Sequence, residues 1–373
     1  MRRIIPAACT LVFVAVASVS PSVSRELAEP VELHGQGSDD AGGRDMLPPQ
    51  LKGDAVLALL QVELMGTEAD ALAGALSGLL GSLPEGEGGA LRDRLDSLLD
   101  VKKELADSGA RRATYVLPGP DVTGREPEPC VLIEPADPEG RSHLKRALER
   151  MLGPDPAYGI VDMPQPEGAV LLLPEQRTPL LSPGDAERQH RFEAALAAAE
   201  GQVLRLIVVG SPTLQRQVGG HLENVELPSD RRAFGQLLLG LVGARYIVAW
   251  LHLKVEDEGS KPEGDEGELK LQVLIQSEDR ESAAAMVTRI ATLGRRDEGG
   301  QSASRWGRGA TQQTESESKD ATSPSDPLLP LRALIGAAKV EVDGERILLT
   351  IPAAAMRQAL RSYARESRIP HPE

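Results

Sequence analysis

Two segments of this chain occur twice, in the same order and at nearly the same separation, and this constrains the fold more than any other feature. Gly109-Ala110-Arg111 precedes the apolar run Ala113 to Leu117, and Gly243-Ala244-Arg245 precedes the run Tyr246 to Leu253. Farther on, Val131-Leu132-Ile133 introduces a helical pattern ending at Leu152-Gly153. Val273-Leu274-Ile275 introduces another, ending at Leu293-Gly294. Several independent matches that keep their order point to an internal duplication, so the two halves are expected to build equivalent parts of the molecule.

The first half opens with Ala55 to Leu64, a short apolar run suited to a buried strand. Leu72, Leu76, Leu79, Leu80 and Leu83 then recur at helical spacing. After a break at Gly86 to Gly89, so do Leu91, Leu95, Leu98, Leu99 and Leu105. This predicts a helical pair with a leucine face on each member. Strands follow at Ala113 to Leu117 and Cys130 to Glu134, then a helix carrying Leu144, Leu148, Met151 and Leu152. A strand pair at Ile160-Val161 and Ala169 to Leu173 closes the half.

The second half repeats that order, with a helix around Phe192 to Ala199, a strand over Val203 to Val209, and helical segments from Thr213 and from Arg231. Its next strands alternate most clearly. Ile247, Ala249, Leu251, Leu253 and Val255 point one way, and Val248, Trp250, His252, Lys254 and Glu256 the other; Leu269, Leu271, Val273 and Ile275 alternate with Lys270 and Gln272. Strict period two with a polar opposite face predicts a sheet covered on one side only. A helix from Arg280 to Leu293 and a hairpin about Asp343-Gly344 complete the pattern.

The predicted class is therefore α+β: a tandem duplication of a ferredoxin-like, split β-α-β unit, with antiparallel sheets and helices mainly on one face. The alternative is one continuous antiparallel sheet to which both halves contribute, with all helices on one face. The expected segments are a signal peptide over 1–24, a flexible acidic linker over 25–52, a first repeat over 53–180 and a second over 181–373. A disordered Gly/Ser/Thr/Gln/Glu-rich insert at 295–327 has no counterpart in the first half.

The N-terminus predicts export. Arg2 and Arg3 precede an apolar stretch from Ile4 to Val19, followed by small residues that place cleavage after Ala17 or Ser24. The stretch contains Pro6 and is shorter than the roughly 20 residues of a membrane span, so no stable membrane insertion is expected after cleavage. Cys9 precedes most of the apolar stretch, which argues against lipid attachment there. Loss of the signal leaves Cys130 as the remaining cysteine, so no internal disulfide is expected and stability must come from core burial. That core is expected to be aliphatic, since only 2% of residues are aromatic.

A net charge of −15 argues against nucleic acid as a partner, and the scarcity of aromatic platforms points the same way. No catalytic pattern stands out. His143, His190, His221 and His252 lack metal-site spacing, and His252 is expected on the polar face of a strand. The acidic run Glu256, Asp257, Glu258, Glu263, Asp265, Glu266 and Glu268 does not follow the order of a calcium loop and reads as a solvated hairpin loop. Gly86, Gly88 and Gly89 lack the preceding strand and the lysine of a phosphate loop. Ser211 lacks the flanks of a nucleophile elbow. No cofactor is expected. Arg305, Trp306 and Arg308 form the one exposed-looking aromatic with basic neighbours and are the candidate interaction residues.

An export signal, an acidic linker and a duplicated α+β unit opening with Asp54-Ala55-Val56-Leu57 resemble uncharacterised exported bacterial proteins that carry a domain of unknown function. The resemblance implies the layout and carries no active-site residues. The expected role is a non-enzymatic binding or scaffold module of the cell envelope, in the periplasm or outside the cell, with a protein or other envelope component as partner. The alternative is a hydrolase or small-ligand carrier whose site is assembled between the two repeats. The leucine-rich arm of the first half and the polar insert of the second are unshared, and any specialised surface is expected there.

Overall fold

The computed structural model describes residues 56–83, 89–118, 130–153, 158–163, 167–174, 186–210, 215–216, 219–220, 229–253, 269–302 and 329–366. The signal, the linker, the acidic run 256–268, Ser211 and the Arg305, Trp306 and Arg308 group lie outside the described residues.

Among the described residues, ten strands form one antiparallel sheet. They are β1 (Val56–Glu63), β2 (Ala110–Pro118), β3 (Cys130–Pro135), β4 (Tyr158–Asp162), β5 (Val170–Pro174), β6 (Leu204–Val208), β7 (Tyr246–Leu253), β8 (Leu269–Gln276), β9 (Lys339–Asp343) and β10 (Arg346–Pro352). The order across the sheet is β4-β5-β3-β2-β1-β6-β7-β8-β10-β9. Read outward from the central β1–β6 pair, each side presents its first, second, third, fifth and fourth strand. The two halves do not close separate sheets: β1 and β6 pair antiparallel, with Leu59 opposite Ile207 and Leu60 opposite Leu206. The apolar edges of both halves are thereby buried, as a central strand requires.

Position in the sheet accounts for the sequence pattern. β1 has neighbours on both sides and both faces covered, so Ala58, Leu59 and Leu60 are all buried and the run is continuously apolar. β10 lies near an edge and alternates, with Ile347, Leu349 and Ile351 buried. The edge strand β9 leaves Val342 exposed and carries the Lys339–Glu341 ion pair. Charge on an edge strand discourages pairing with other chains.

Among the described residues, seven of eight helices lie on one face, here called the layered face. α1 (Thr67–Gly81) and α2 (Gly89–Asp107) are the leucine-rich pair, and α3 (Arg141–Leu152) follows β3. α5 (Ser229–Val242), α6 (Arg280–Ser302), α7 (Leu329–Ala337) and α8 (Ala353–Glu366) cover the second half. Their apolar stripes meet the sheet in three clusters. Leu72, Leu79 and Leu95 join Leu60, Leu206 and Met356. Leu144 and Leu148 join Val131 and Ile133. Met286 and Ile290 join Ile275 and Ile347.

The reverse face is not left to solvent, as alternation in β7 suggested. The remaining helix, α4 (Ala186–Ala198), packs Phe192, Ala195 and Leu196 onto Leu59, Val116, Leu132, Ile207 and Val248. Val248 and Trp250 belong to that buried patch, while His252 is exposed. Two helical extents also differ from expectation. α6 runs through Gly294 to Ser302, so the first residues of the predicted insert are helical. α8 was not anticipated, although its buried Ala355, Met356, Ala359 and Leu360 recur at helical spacing.

Candidate ligand cleft

The helical pair α1–α2 is an excursion between two adjacent strands, β1 and β2. Gly66 and Gly109 stand at its two ends with φ of 109° and 85°, the left-handed region that side chains other than glycine's rarely occupy. Arg92 of α2 fixes the pair from within. Its Nε donates to the Leu80 carbonyl at 3.1 Å, and its Nη2 donates to Gly81 and Leu83 at 3.1 and 2.6 Å. Leu80 and Gly81 stand in the last turn of α1, whose carbonyls have no N–H of the helix to bond, and Leu83 follows two residues beyond it; the Leu80 carbonyl also accepts from Leu83 N–H at 3.1 Å. The pair is thereby held over the sheet as one roof.

Beneath this roof the layered face is not filled. A cavity of about 200 Å³, part-open to solvent, lies between α1, α2, α8 and the sheet. Strand register arranges its floor in two rows that cross the strands. One row is Ala113, Val62, Leu204, Leu251 and Leu271; the other is Tyr115, Leu60, Leu206 and Ala249. Leu72, Leu76 and Leu79 of α1, Leu95, Leu99 and Leu105 of α2, and Met356 and Leu360 of α8 make the walls. The space exists because small side chains, Ala73, Ala113, Ala249 and Ala359, stand where their neighbours are leucines.

Two charged residues border the cavity, Glu63 and Lys102. Glu63 ends β1 in the alternation that points to the reverse face, where its Oε1 accepts from Arg112 Nε at 2.6 Å; Arg112 Nη1 in turn lies 3.7 Å from Glu134. Lys102 belongs to the apolar wall. Its stem lies among the leucines, and its Nζ donates to Asp70 Oδ1 at 2.6 Å, with side-chain exposures of 18% and 77%. The ammonium thus sits at the rim while its counter-ion stands in water.

No family model and no curated protein matches the chain. Solved structures similar to it include two crystal forms of TP0453. Crystal form III of TP0453 aligns with a TM-score of 0.34 and 11% identity, covering 85% of this chain and 99% of that one. Crystal form I of TP0453 aligns with a TM-score of 0.31 and 10% identity, covering 85% and 98%.

Other polar groups serve the scaffold. On the reverse face, the buried Arg205 donates from Nε to Gln61 Oε1 at 2.6 Å and from Nη1 to the Leu196 and Ala199 carbonyls at 3.3 and 2.9 Å. Gln61 Nε2 donates to Thr114 Oγ1 at 3.2 Å. At one end of the sheet Arg245 bonds Glu278 at 3.0 Å, which raises its already high pKa, and Arg191 meets the same carboxylate at 2.9 Å. Asp279 caps α6 by accepting from the Ser282 N–H at 2.7 Å, a bond that lowers its pKa. These groups form ion pairs and a helix cap. His143 and His190 are exposed on their helices. Among the described residues no three His, Cys, Asp or Glu side chains cluster as metal ligands, and no helix is long and apolar enough to cross a membrane.

The helical periodicity identifies the leucine faces of α1 and α2 that form the roof. It does not reveal that these faces stand off the sheet, or that α8 supplies the end wall. The paired residues Ala355-Met356 and Ala359-Leu360, four apart, are the signal that identifies α8.

Proposed function

We propose that this chain is an exported binding protein that carries a small apolar ligand in the cleft under α1 and α2. One observation carries the reading: a cavity of about 200 Å³ with almost wholly aliphatic walls, formed by residues from both sides of the β1–β6 pair. It is larger than the roughly 150 Å³ that suffices for an apolar core site to bind benzene. Because the cleft is part-open, water enters it when no ligand is bound, and an apolar ligand that displaces this water takes leucine surface out of solvent at a gain of roughly 25 cal/mol per Å².

The position of the cleft favours a ligand carrier assembled between two repeats over a scaffold that presents only its outer surface. The mirrored strand order about β1–β6 supports the duplication, with residues 53–180 and 181–373 as copies of one split β-α-β unit. The matched Gly-Ala-Arg and Val-Leu-Ile segments fall at corresponding strands, β2 with β7 and β3 with β8. Export rests on Arg2, Arg3 and the apolar stretch that follows.

Titrating the purified protein with diphenylhexatriene, an uncharged apolar fluorophore, tests the binding reading. Saturable enhancement at one site per chain is expected, with a raised Tm. At a free probe concentration of about 100 times Kd the stabilisation should approach about 2.7 kcal/mol. Absence of saturable binding would refute a ligand cleft.

A further inference from the structure

We infer that the ligand is a single aliphatic chain ending in a carboxylate, with its headgroup at Lys102 and its tail directed toward Met356 and Leu360; this rests on the cleft being a ligand site. Shape is the first argument. The floor spans five consecutive strands, β2, β1, β6, β7 and β8, which at about 4.8 Å per strand is about 19 Å of length. Its two rows are two residues apart along each strand, about 7 Å. A trough of these proportions suits an extended chain better than a compact ring system.

Polarity is the second argument. Leu105, one turn beyond Lys102, packs with Ala113 and Val131, which places Lys102 at the β2 end of the trough. The opposite end is closed by Leu334, Met356 and Leu360, all apolar. The cleft is therefore polar at one end and oily at the other, the profile of an amphiphile.

The sign of the headgroup follows from which charge is exchangeable. Glu63 is engaged by Arg112 on the reverse face. Lys102 is held by Asp70, whose side chain is largely in water, and exposed pairs of this kind contribute little. Asp70 also lies in the first turn of α1, where the helix dipole favours its charge whether or not Lys102 is present. An incoming carboxylate can replace it at Nζ, conserving one ion pair while the tail displaces water from the trough.

The test measures displacement of diphenylhexatriene by palmitate and by hexadecanol, which share a chain and differ in headgroup charge. Wild type should prefer palmitate on the order of tenfold, as a charge-assisted hydrogen bond implies. Lys102→Met keeps an apolar stem and removes the ammonium; it should abolish the preference by weakening palmitate while leaving hexadecanol unchanged. Asp70→Asn removes the competing carboxylate and should tighten palmitate several-fold. Equal affinities in wild type, a preference that survives Lys102→Met, or no gain in Asp70→Asn would overturn the headgroup assignment with the cleft intact. If the fluorophore binds but neither compound displaces it, the aliphatic-chain inference falls; if the fluorophore itself does not bind, the cleft reading falls as well.

Discussion

At the scale of single residues, Arg205 ties three elements together, β6, β1 and the end of α4. It stands in β6 at 2% exposure, and one guanidinium serves the Gln61 amide of β1 and the carbonyls of Leu196 and Ala199 at the end of α4. A buried cation is tolerated there because the carbonyl end of a helix is electronegative, and the Leu196 and Ala199 carbonyls, which accept the turn N–H groups of Ala199 and Gln202 at 3.3 and 3.2 Å, each keep a second lone pair for it. Arg205→Met should cost about 2–3 kcal/mol in urea denaturation, because it leaves the buried Gln61 amide oxygen without its charged donor and strips the Leu196 and Ala199 carbonyls of their second hydrogen bond. Removing the amide as well, in Arg205→Met with Gln61→Leu, should cost less than the sum of the single changes, since the two groups share one bond. A loss below about 1 kcal/mol for Arg205→Met would show that the network is dispensable. The sequence shows a charge inside an apolar run. It does not show that the partner lies 144 residues away in β1.

At the scale of elements, period and burial decide what can be read. β8 and β10 alternate because helices cover mainly one face, β7 alternates although α4 also covers Val248 on its other face, and the leucine spacing of α1 and α2 follows from the sheet they cover. α7 has only nine residues, too few for its period to stand out, whereas α8 is strongly amphipathic and its stripe of Ala355, Met356, Ala359 and Leu360 is legible in the sequence. Gly294 misleads for a different reason. Leu293-Gly294 resembles a helix end, yet α6 continues through it, and the missing side chain is where α7 comes close. A Cβ at 294 would lie 3.1 Å from Gly336 Cα, whereas one at 336 would meet its nearest neighbour at an ordinary 3.5 Å. Gly336→Ala should therefore be neutral or stabilise by up to about 1 kcal/mol through helix propensity, while Gly294→Val should destabilise by about 1–3 kcal/mol through overpacking. Thermal denaturation of the two variants separates them, and equal effects would remove the close approach as the reason for Gly294.

At the scale of the whole molecule, the two faces of one sheet are packed to different standards, and that difference is the argument for function. The sheet is continuous through β1 and β6, so a trough crossing five strands exists only when both halves are in place. Neighbouring residues of β7 sample the two sides. Val248 is fully buried beneath α4, in a cluster with Leu59, Phe192 and Ile207, while Ala249 lies in the floor of the cavity. Both residues read simply as apolar positions in the strand pattern, which does not say which face is filled; the cleft is a space left by alanines among leucines from distant segments, and it is seen only when the halves are brought together. Val248→Phe forces a larger ring into a filled core and should lower stability by about 1–3 kcal/mol. Ala249→Phe places the same ring in existing space and should leave Tm unchanged or higher. It should also weaken diphenylhexatriene binding by on the order of tenfold or more, because the ring occupies volume the ligand needs. Wild-type binding in Ala249→Phe would place the ligand elsewhere. A fall in Tm matching that of Val248→Phe would mean that the layered face is as tightly packed as the reverse face, and that the space beneath α1 and α2 closes in solution.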